Sequence, residues 1–369
     1  MQYKNAKMNK TIMNDHSPAK GPEIFLHRLK KFAYIPDNVF ICNPSLIHIA
    51  EMEKSNPAKV LARMDGTYYF EFSGHNFLGL VKQRRPRLFP YVFWLYLLPF
   101  QIKPMTILLN RFFNRGAIRL TRIADAIVFQ SLISKSMHKE FLKYQGGRIP
   151  DTIIYNGADI EEYYPRKGCS LKGYPAVIIS ASVYRLHKRL REAIKLVNHL
   201  SEEYPDIRLH ILGEFDPLVQ KSISGFDMSR CVLHGRKRPR ELPEFYAGAD
   251  IQLSMCIFDP CPNVVCEGLA SGLPVITPFE SGASELVGKE NADWTVREDL
   301  ELKYRPMQVI NKTPGIPIDR YEKVFHKIMD NLPGEKEKAR FRAEKEINIR
   351  TTAKKYEKFI QKSLLKIDG

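Results

Sequence analysis

Short apolar runs alternate with amphipathic stretches along most of the chain. The runs 38–42, 124–131 and 176–182 are short, bounded by polar residues and rich in Val and Ile, which is typical of buried strands. Stretches such as 24–32, with apolar residues every three or four positions, predict helices between them. Strands that alternate with helices predict a parallel sheet of the α/β class.

The domain organisation follows from the length and from one polar stretch. A chain of 369 residues exceeds what one hydrophobic core usually supports, so two domains are expected. The polar stretch 161–172 interrupts the alternation and marks a linker. We expect a first Rossmann-like domain at 1–165, a second at 166–335, and a charged helical stretch at 336–369 that packs back on the first domain.

One stretch of the second domain places two carboxylates around a predicted helix start. Asp259 and Glu267 frame a turn that runs into a helix over 264–270, which Gly272 and Pro274 end. Asp259 can accept hydrogen bonds from sugar hydroxyls, and Glu267 can take both hydroxyls of a ribose. The N–H groups and the dipole of the helix start suit a diphosphate. This layout indicates a sugar-nucleotide site.

With the continuations 272–275 and 281–285, this stretch resembles the acidic-x7-acidic signature of retaining glycosyltransferases of family 4. The resemblance implies the GT-B fold, in which two Rossmann-like domains with parallel sheets face a central cleft and the last helix crosses back. It implies transfer of a sugar from a nucleotide diphosphate sugar to an acceptor hydroxyl, in the biosynthesis of a glycan, polysaccharide or glycolipid. Asp259 stands where the family usually has Glu, and Pro262 where it usually has Gly.

A basic loop follows the first strand of the second domain. Arg185 and Lys188 come after the run 176–182 and before a predicted helix. Cations at the mouth of a parallel sheet can neutralise a diphosphate and its charge as it leaves. The family uses an Arg and a Lys in this loop, and the alternative is a solvated loop without chemistry.

The resemblance assigns further positions. Gly21 precedes the first helix, where backbone approaches the donor phosphate in the family, Gly213 ends a strand, and His234 and Gly235 lie near the usual place of the base. Asp65, in an Asp-Gly turn after a strand, can orient or deprotonate an acceptor hydroxyl or stabilise positive charge on the sugar, or form a turn without chemistry. The expected donor-binding set is Gly21, Arg185, Lys188, Gly213, His234, Gly235, Asp259, Cys261, Asn263, Val264 and Glu267, and the expected catalytic set is Asp65, Arg185, Lys188 and Asp259.

The charge of the chain is unevenly distributed. The net charge of +16 calls for an anionic partner, and no acidic residue occurs over 72–124, which contains nine Lys and Arg residues. The uncharged run 88–100 lies inside this stretch and is shorter than the roughly 20 residues needed to span a bilayer. Contact of 82–122 with an anionic membrane surface is one interpretation, and a buried helix beside the acceptor pocket is the other.

Other features narrow the function classes. The six cysteines are scattered without metal-ligand spacing, and 1–22 is polar and basic, so we expect a reducing, cytoplasmic setting. The membrane interpretation of 82–122 would place the protein on the inner face of a membrane. No cofactor and no metal are expected. The basic residues lack the interleaved aromatics of single-strand binders, which disfavours a nucleic-acid-binding protein. A GT-B epimerase or hydrolase of sugar nucleotides is the closer alternative.

Overall fold

The computed structural model describes residues 21–66, 111–112, 114–257, 259–299 and 314–365. Within these residues the chain forms two parallel sheets, one in each half. The run 88–100 and most of the basic stretch 82–122 lie outside the described residues, so neither interpretation of them is tested.

The first sheet has four parallel strands in the order β1-β2-β3-β4. Its central strands carry buried Val, Ile and Leu side chains, as the apolar runs predict. The strands are β1 (Val39–Cys42), β2 (Lys59–Met64), β3 (Ala126–Phe129) and β4 (Asp151–Ile153), and the helices are α1 (Gly21–Phe32), α2 (Leu46–Ser55), α3 (Arg115–Ile123) and α4 (Leu132–Leu142).

The second sheet has six parallel strands in the order β10-β9-β8-β5-β6-β7. Its first strand, β5, lies between β6 and β8, so the strand order reverses between β5 and β8. Ligands of open α/β sheets bind at such a switch point. The strands are β5 (Ala176–Tyr184), β6 (Arg208–Phe215), β7 (Cys231–Gly235), β8 (Ile251–Leu253), β9 (Val275–Pro278) and β10 (Thr295–Val296), and the helices are α5 (Leu190–Leu200), α6 (Pro217–Ile223), α7 (Leu242–Ala247), α8 (Asn263–Ala270) and α9 (Gly282–Val287).

The C-terminal segment returns to the first domain. After α10 (Ile318–Asp330) and α11 (Leu332–Arg342), a π-helical turn leads into α12 (Ile349–Ser363). Tyr356 and Ile360 of α12 share a buried apolar cluster with Phe25 of α1 and Val128 of β3. This crossing and the two facing parallel sheets confirm the predicted GT-B fold. The exact boundaries 1–165, 166–335 and 336–369 stay predictions.

Two local expectations were wrong. The continuous helical stretch predicted after residue 335 is broken at Asn348, whose backbone is extended because the chain pairs there with Ala158. The strand expected to end at Gly213 continues to Phe215. Gly213 is instead a site of close packing, since a Cβ there would lie 2.0 Å from the backbone oxygen of Ala181.

Candidate active site

The two sheets present the carboxyl ends of their strands to a common junction. Asp65 follows β2 and Asn156 follows β4, while Lys188 and Asp259 follow β5 and β8. Side chains of the two domains contact one another at this junction. Loops at the carboxyl ends of parallel strands are where α/β proteins bind their ligands.

Lys188 and Asp259 form an ion pair at the switch point. The Nζ of Lys188 lies 2.6 Å from Oδ2 of Asp259, and each side chain is about a quarter exposed, at 24% and 26%. Burial favours the neutral acid, but the attraction of Lys188 outweighs it and lowers the pKa of Asp259. Burial also acts against the Lys188 ammonium, and the charge of Asp259 still raises its pKa. Both groups are therefore charged at neutral pH.

The loop that carries Lys188 is anchored from behind. Arg189 has a left-handed backbone, with φ of 54°, and its guanidinium donates two hydrogen bonds of 2.9 and 2.8 Å to Glu298. Both side chains are essentially inaccessible, and the hydroxyl of Tyr321 also donates to Glu298. Arg185 precedes the turn and is exposed. The anchor holds Lys188 toward the junction and leaves Arg185 at its rim.

A crevice opens between β5 and β8 beside this ion pair. The hydroxyl of Tyr184 is buried there and has no hydrogen-bond partner among the described residues. A buried donor of this kind is expected to find its partner in a ligand or a water molecule. The polar and apolar groups that line the crevice include Ser180, Tyr184, Lys188, Ser254, Pro262 and Val264.

Glu267 lies in α8 and forms an ion pair with a side chain of the first domain. Oε1 of Glu267 is 2.8 Å from Nη2 of Arg28, which comes from α1 of the first domain. The two side chains are only 12% (Arg28) and 6% (Glu267) exposed. Burial raises the pKa of Glu267, and the charge of Arg28 opposes that rise. No sequence pattern identified Arg28 as a site residue, because α1 has the pattern of an ordinary basic amphipathic helix.

A buried network connects Asp65 with the start of α8. Arg63 donates 2.7 Å to Oδ1 of Asp65 and 2.8 Å to the side-chain oxygen of Asn156. The amide nitrogen of Asn156 then donates to the backbone oxygen of Cys261 and to Oδ1 of Asn263, each over 2.9 Å. Burial raises the pKa of Asp65 despite Arg63, and the nearby charge of Asp259 adds to the rise.

The three predicted donor-binding residues at the start of α8 differ in what their side chains contact. Cys261 is buried, and its Sγ accepts from the backbone N–H of Asn156 over 3.3 Å. Asn263 also serves the domain junction through its side chain, while Val264 faces the crevice. The side chains of Cys261 and Asn263 hold the turn in place, which leaves backbone contacts to a donor as the remaining role expected for them.

The other predicted positions lie at the edges of the arrangement. The ring of His234 stacks on His210, with 2.9 Å between Nε2 and Nδ1, and meets the edge of Phe245. Burial lowers the pKa of His234 to about 4, and His210 and Lys237 act in the same direction. Gly235 ends β7 with φ of 64°, and Gly21 is the first residue of α1. Donor contacts of these residues stay predictions.

Glu285 makes a domain contact that the sequence did not identify as such. Its carboxylate accepts hydrogen bonds from the backbone N–H groups of Leu132 and Ile133, at 2.8 and 2.9 Å. It also accepts from the hydroxyl of Tyr155 over 3.2 Å. An anion at the start of a helix is favourable, so Glu285 fixes the first turn of α4 against the second domain.

Within the described ranges, no group of three His, Cys, Asp or Glu side chains is arranged to hold a metal ion. No helix among the same residues has the length and apolar character to cross a bilayer.

Most of the second domain matches a known protein-family model. Residues 175–303 match the family model described as Glycosyl transferases group 1. The chain is 20% identical over 219 residues to spore coat protein SA of Bacillus subtilis and 26% identical over 152 residues to the putative colanic acid biosynthesis glycosyltransferase WcaL of Escherichia coli. These matches cover 53% and 39% of this chain, and 57% and 37% of the relatives.

Solved structures support the fold over nearly the whole chain. WaaG, described as a glycosyltransferase involved in lipopolysaccharide biosynthesis, is 13% identical with a TM-score of 0.59. The similarity covers 93% of this chain and 97% of WaaG. Several other similar structures are described as complexes with UDP.

Proposed function

We propose that this protein is a retaining glycosyltransferase of family 4, which moves a sugar from a nucleotide diphosphate sugar to an acceptor hydroxyl in glycan, polysaccharide or glycolipid biosynthesis. The observation that carries the proposal is the Lys188–Asp259 ion pair at the switch point of the second sheet. The pair lies in the segment that matches the glycosyltransferase model. WcaL, which is similar in sequence, and WaaG, which is similar in structure, are both described as glycosyltransferases.

The donor diphosphate is proposed to lie against Lys188 and the backbone after Asp259, with Arg185 at the rim. In the reaction the bond between the sugar and the leaving phosphate breaks, and negative charge grows on the diphosphate. A fixed cation stabilises that charge more in the transition state than in the ground state, and preorganised groups of this kind accelerate transfer. The anchored loop around Arg189 provides such a fixed cation.

The acceptor is proposed to approach from the first domain. Its hydroxyl oxygen bonds to the anomeric carbon on the face that the phosphate leaves, and its proton passes to the leaving diphosphate. Asp259 is proposed to bind the transferred sugar. Asp65 is proposed to orient the acceptor or to stabilise positive charge on the sugar ring. Because Lys188 and Arg185 supply positive charge at the diphosphate, we propose that neither a metal nor a cofactor is required.

The acceptor is further proposed to be a glycan or a lipid-linked molecule, reached in the cytoplasm at the inner face of a membrane. The described part of the basic stretch supports this through the exposed Arg115 and Arg122 of α3, whereas Arg119 on the same helix is paired with Glu53. A cationic surface attracts anionic lipid headgroups. Nucleic acid is not proposed as a partner.

The proposal is tested by calorimetric titration with UDP, GDP, ADP and CMP. We expect one diphosphate to bind, and Lys188→Met to weaken it by roughly 10-fold or more, because the variant removes a charged contact. Lys221→Met, which removes an exposed lysine from α6, is the matched control and should bind as wild type. Product analysis with the matching sugar nucleotide then separates transfer from epimerisation or hydrolysis. Absence of binding by all four nucleotides contradicts the proposal.

A further inference from the structure

Arg28 contacts Glu267 from a helix that is packed in the first domain. Its helix, α1, is anchored by Phe25 and Leu29 in the cluster that also contains Tyr356 of α12. The hydroxyl of Tyr163 accepts a hydrogen bond of 3.4 Å from Arg28, whose guanidinium lies 5.5 Å from the Tyr163 ring centre. The position of the guanidinium is therefore fixed by packing on several sides.

The chemistry of the Arg28–Glu267 pair matches the needs of a ribose. Nη2 of Arg28 holds one oxygen of Glu267, which keeps the carboxylate oriented. Nη1 is buried and has no hydrogen-bond partner among the described residues. A hydroxyl group can donate one hydrogen bond and accept others. A ribose hydroxyl that lies beside the pair can therefore donate to Glu267 and accept from Nη1 of Arg28.

Arg28 is the cation that favours the ionised form of Glu267. Among the described groups that act on the charge of Glu267, Glu162 is an anion and Arg28 is a cation. The charge of Glu267 raises the pKa of the neighbouring Tyr163 and Tyr246 hydroxyls, which stay neutral. A buried carboxylate without a cation would favour its protonated form, which accepts hydrogen bonds less well.

We propose that Arg28 completes the ribose site: it orients Glu267 through Nη2, donates to a ribose hydroxyl through Nη1, and so makes the site select ribonucleotides over 2′-deoxyribonucleotides. This inference rests on the proposed function. It makes the first domain part of donor recognition, because α1 belongs to that domain and Glu267 to the other.

The test compares the best-binding nucleoside diphosphate with its 2′-deoxy counterpart by calorimetric titration. Wild type should prefer the ribose form by roughly 10- to 100-fold, the range of a hydrogen bond to charged groups. Arg28→Met should bind the ribose form at least about tenfold more weakly and bring the preference close to one. Arg28→Lys, which keeps the charge, should restore part of the preference. Lys31→Met is the matched control, since Lys31 lies on the same helix with a side chain 65% exposed.

Other outcomes overturn the inference in different ways. An unchanged preference in Arg28→Met shows that Arg28 has no role in ribose selection, and tighter binding shows that it blocks the site. Should Arg28→Met fail to fold by circular dichroism, an unchanged preference in Arg28→Lys overturns the inference instead. Wild type that binds no nucleotide overturns the proposed function itself, and this inference with it.

Discussion

The side-chain amide of Asn156 donates a hydrogen bond to the backbone oxygen of Cys261 across 2.9 Å, and it thereby joins the first domain to the turn before α8. The oxygen of the same amide accepts from Arg63, which holds Asp65. One buried carboxamide thus connects the side chain proposed to face the acceptor with the turn proposed to hold the donor. A fixed relation between two substrates is a large part of what an enzyme contributes to a bimolecular transfer.

Replacing Asn156 should destabilise the protein. In Asn156→Ala the buried guanidinium of Arg63 loses an acceptor and the oxygen of Cys261 loses its donor, so the free energy of unfolding should fall by about 2–3 kcal/mol. Urea unfolding followed by circular dichroism measures it. Asn198→Ala is the control, because the side chain of Asn198 donates to the backbone of Asp227 at an exposed site. Equal losses in both variants contradict a special role for Asn156.

The sequence predicted what local pattern can encode. The strand and helix alternation, the helix α8 and the basic loop before α5 all follow from residues close to one another in the chain. The contact between Lys188 and Asp259, two predicted site residues 71 positions apart, is a finding of the structure. The contacts of Arg28 with Glu267 and of Asn156 with the turn at Cys261 could not be predicted, because in each pair the two residues belong to different domains. Asn156 and Cys261 are 105 positions apart, and no periodicity links residues at that separation.

The pH dependence of transfer should identify Asp65. Burial raises the pKa of Asp65, with Arg63 opposing and Asp259 adding to the rise, whereas Lys188 lowers the pKa of Asp259 against its burial. If ionised Asp65 acts on the acceptor, kcat/KM should be lost as the pH falls through a value above the ordinary aspartate pKa of about 3.9. Asp65→Asn should remove this acid limb and lower kcat by roughly 100-fold or more.

Asp227 provides the matched control for Asp65. Asp227→Asn, which changes an exposed carboxylate far along the chain, should leave the limb in place. An acid limb below the ordinary aspartate pKa, or one that persists in Asp65→Asn, assigns the titration to another group and leaves Asp65 as a turn residue.

Membrane contact can be separated from donor binding. Replacing 88–100 with a Gly-Ser segment of equal length should abolish co-sedimentation with vesicles that contain anionic phosphatidylglycerol, since the flanking cations alone bind weakly and in a salt-dependent way. Nucleotide binding should stay within about twofold of wild type, because the residues proposed to bind the donor all lie outside 82–122. Vesicle binding that persists in the variant contradicts the proposed membrane surface.

The buried pair of Arg189 and Glu298 provides the sharpest stability test. The two side chains are 0% and 1% exposed, so Arg189→Met leaves an uncompensated carboxylate in the core. Removing one partner of a buried ion pair costs about 3–5 kcal/mol, whereas replacing both with apolar groups is often close to neutral. Arg189→Met should therefore unfold at much lower urea concentration than wild type, and Arg189→Met/Glu298→Leu should recover most of the loss. The double variant should still bind the donor nucleotide less tightly, because the turn that carries Lys188 has lost its anchor. A single variant as stable as the double one would show that hydration or protonation compensates the charge of Glu298. The ion pair would then contribute little to the stability of the fold.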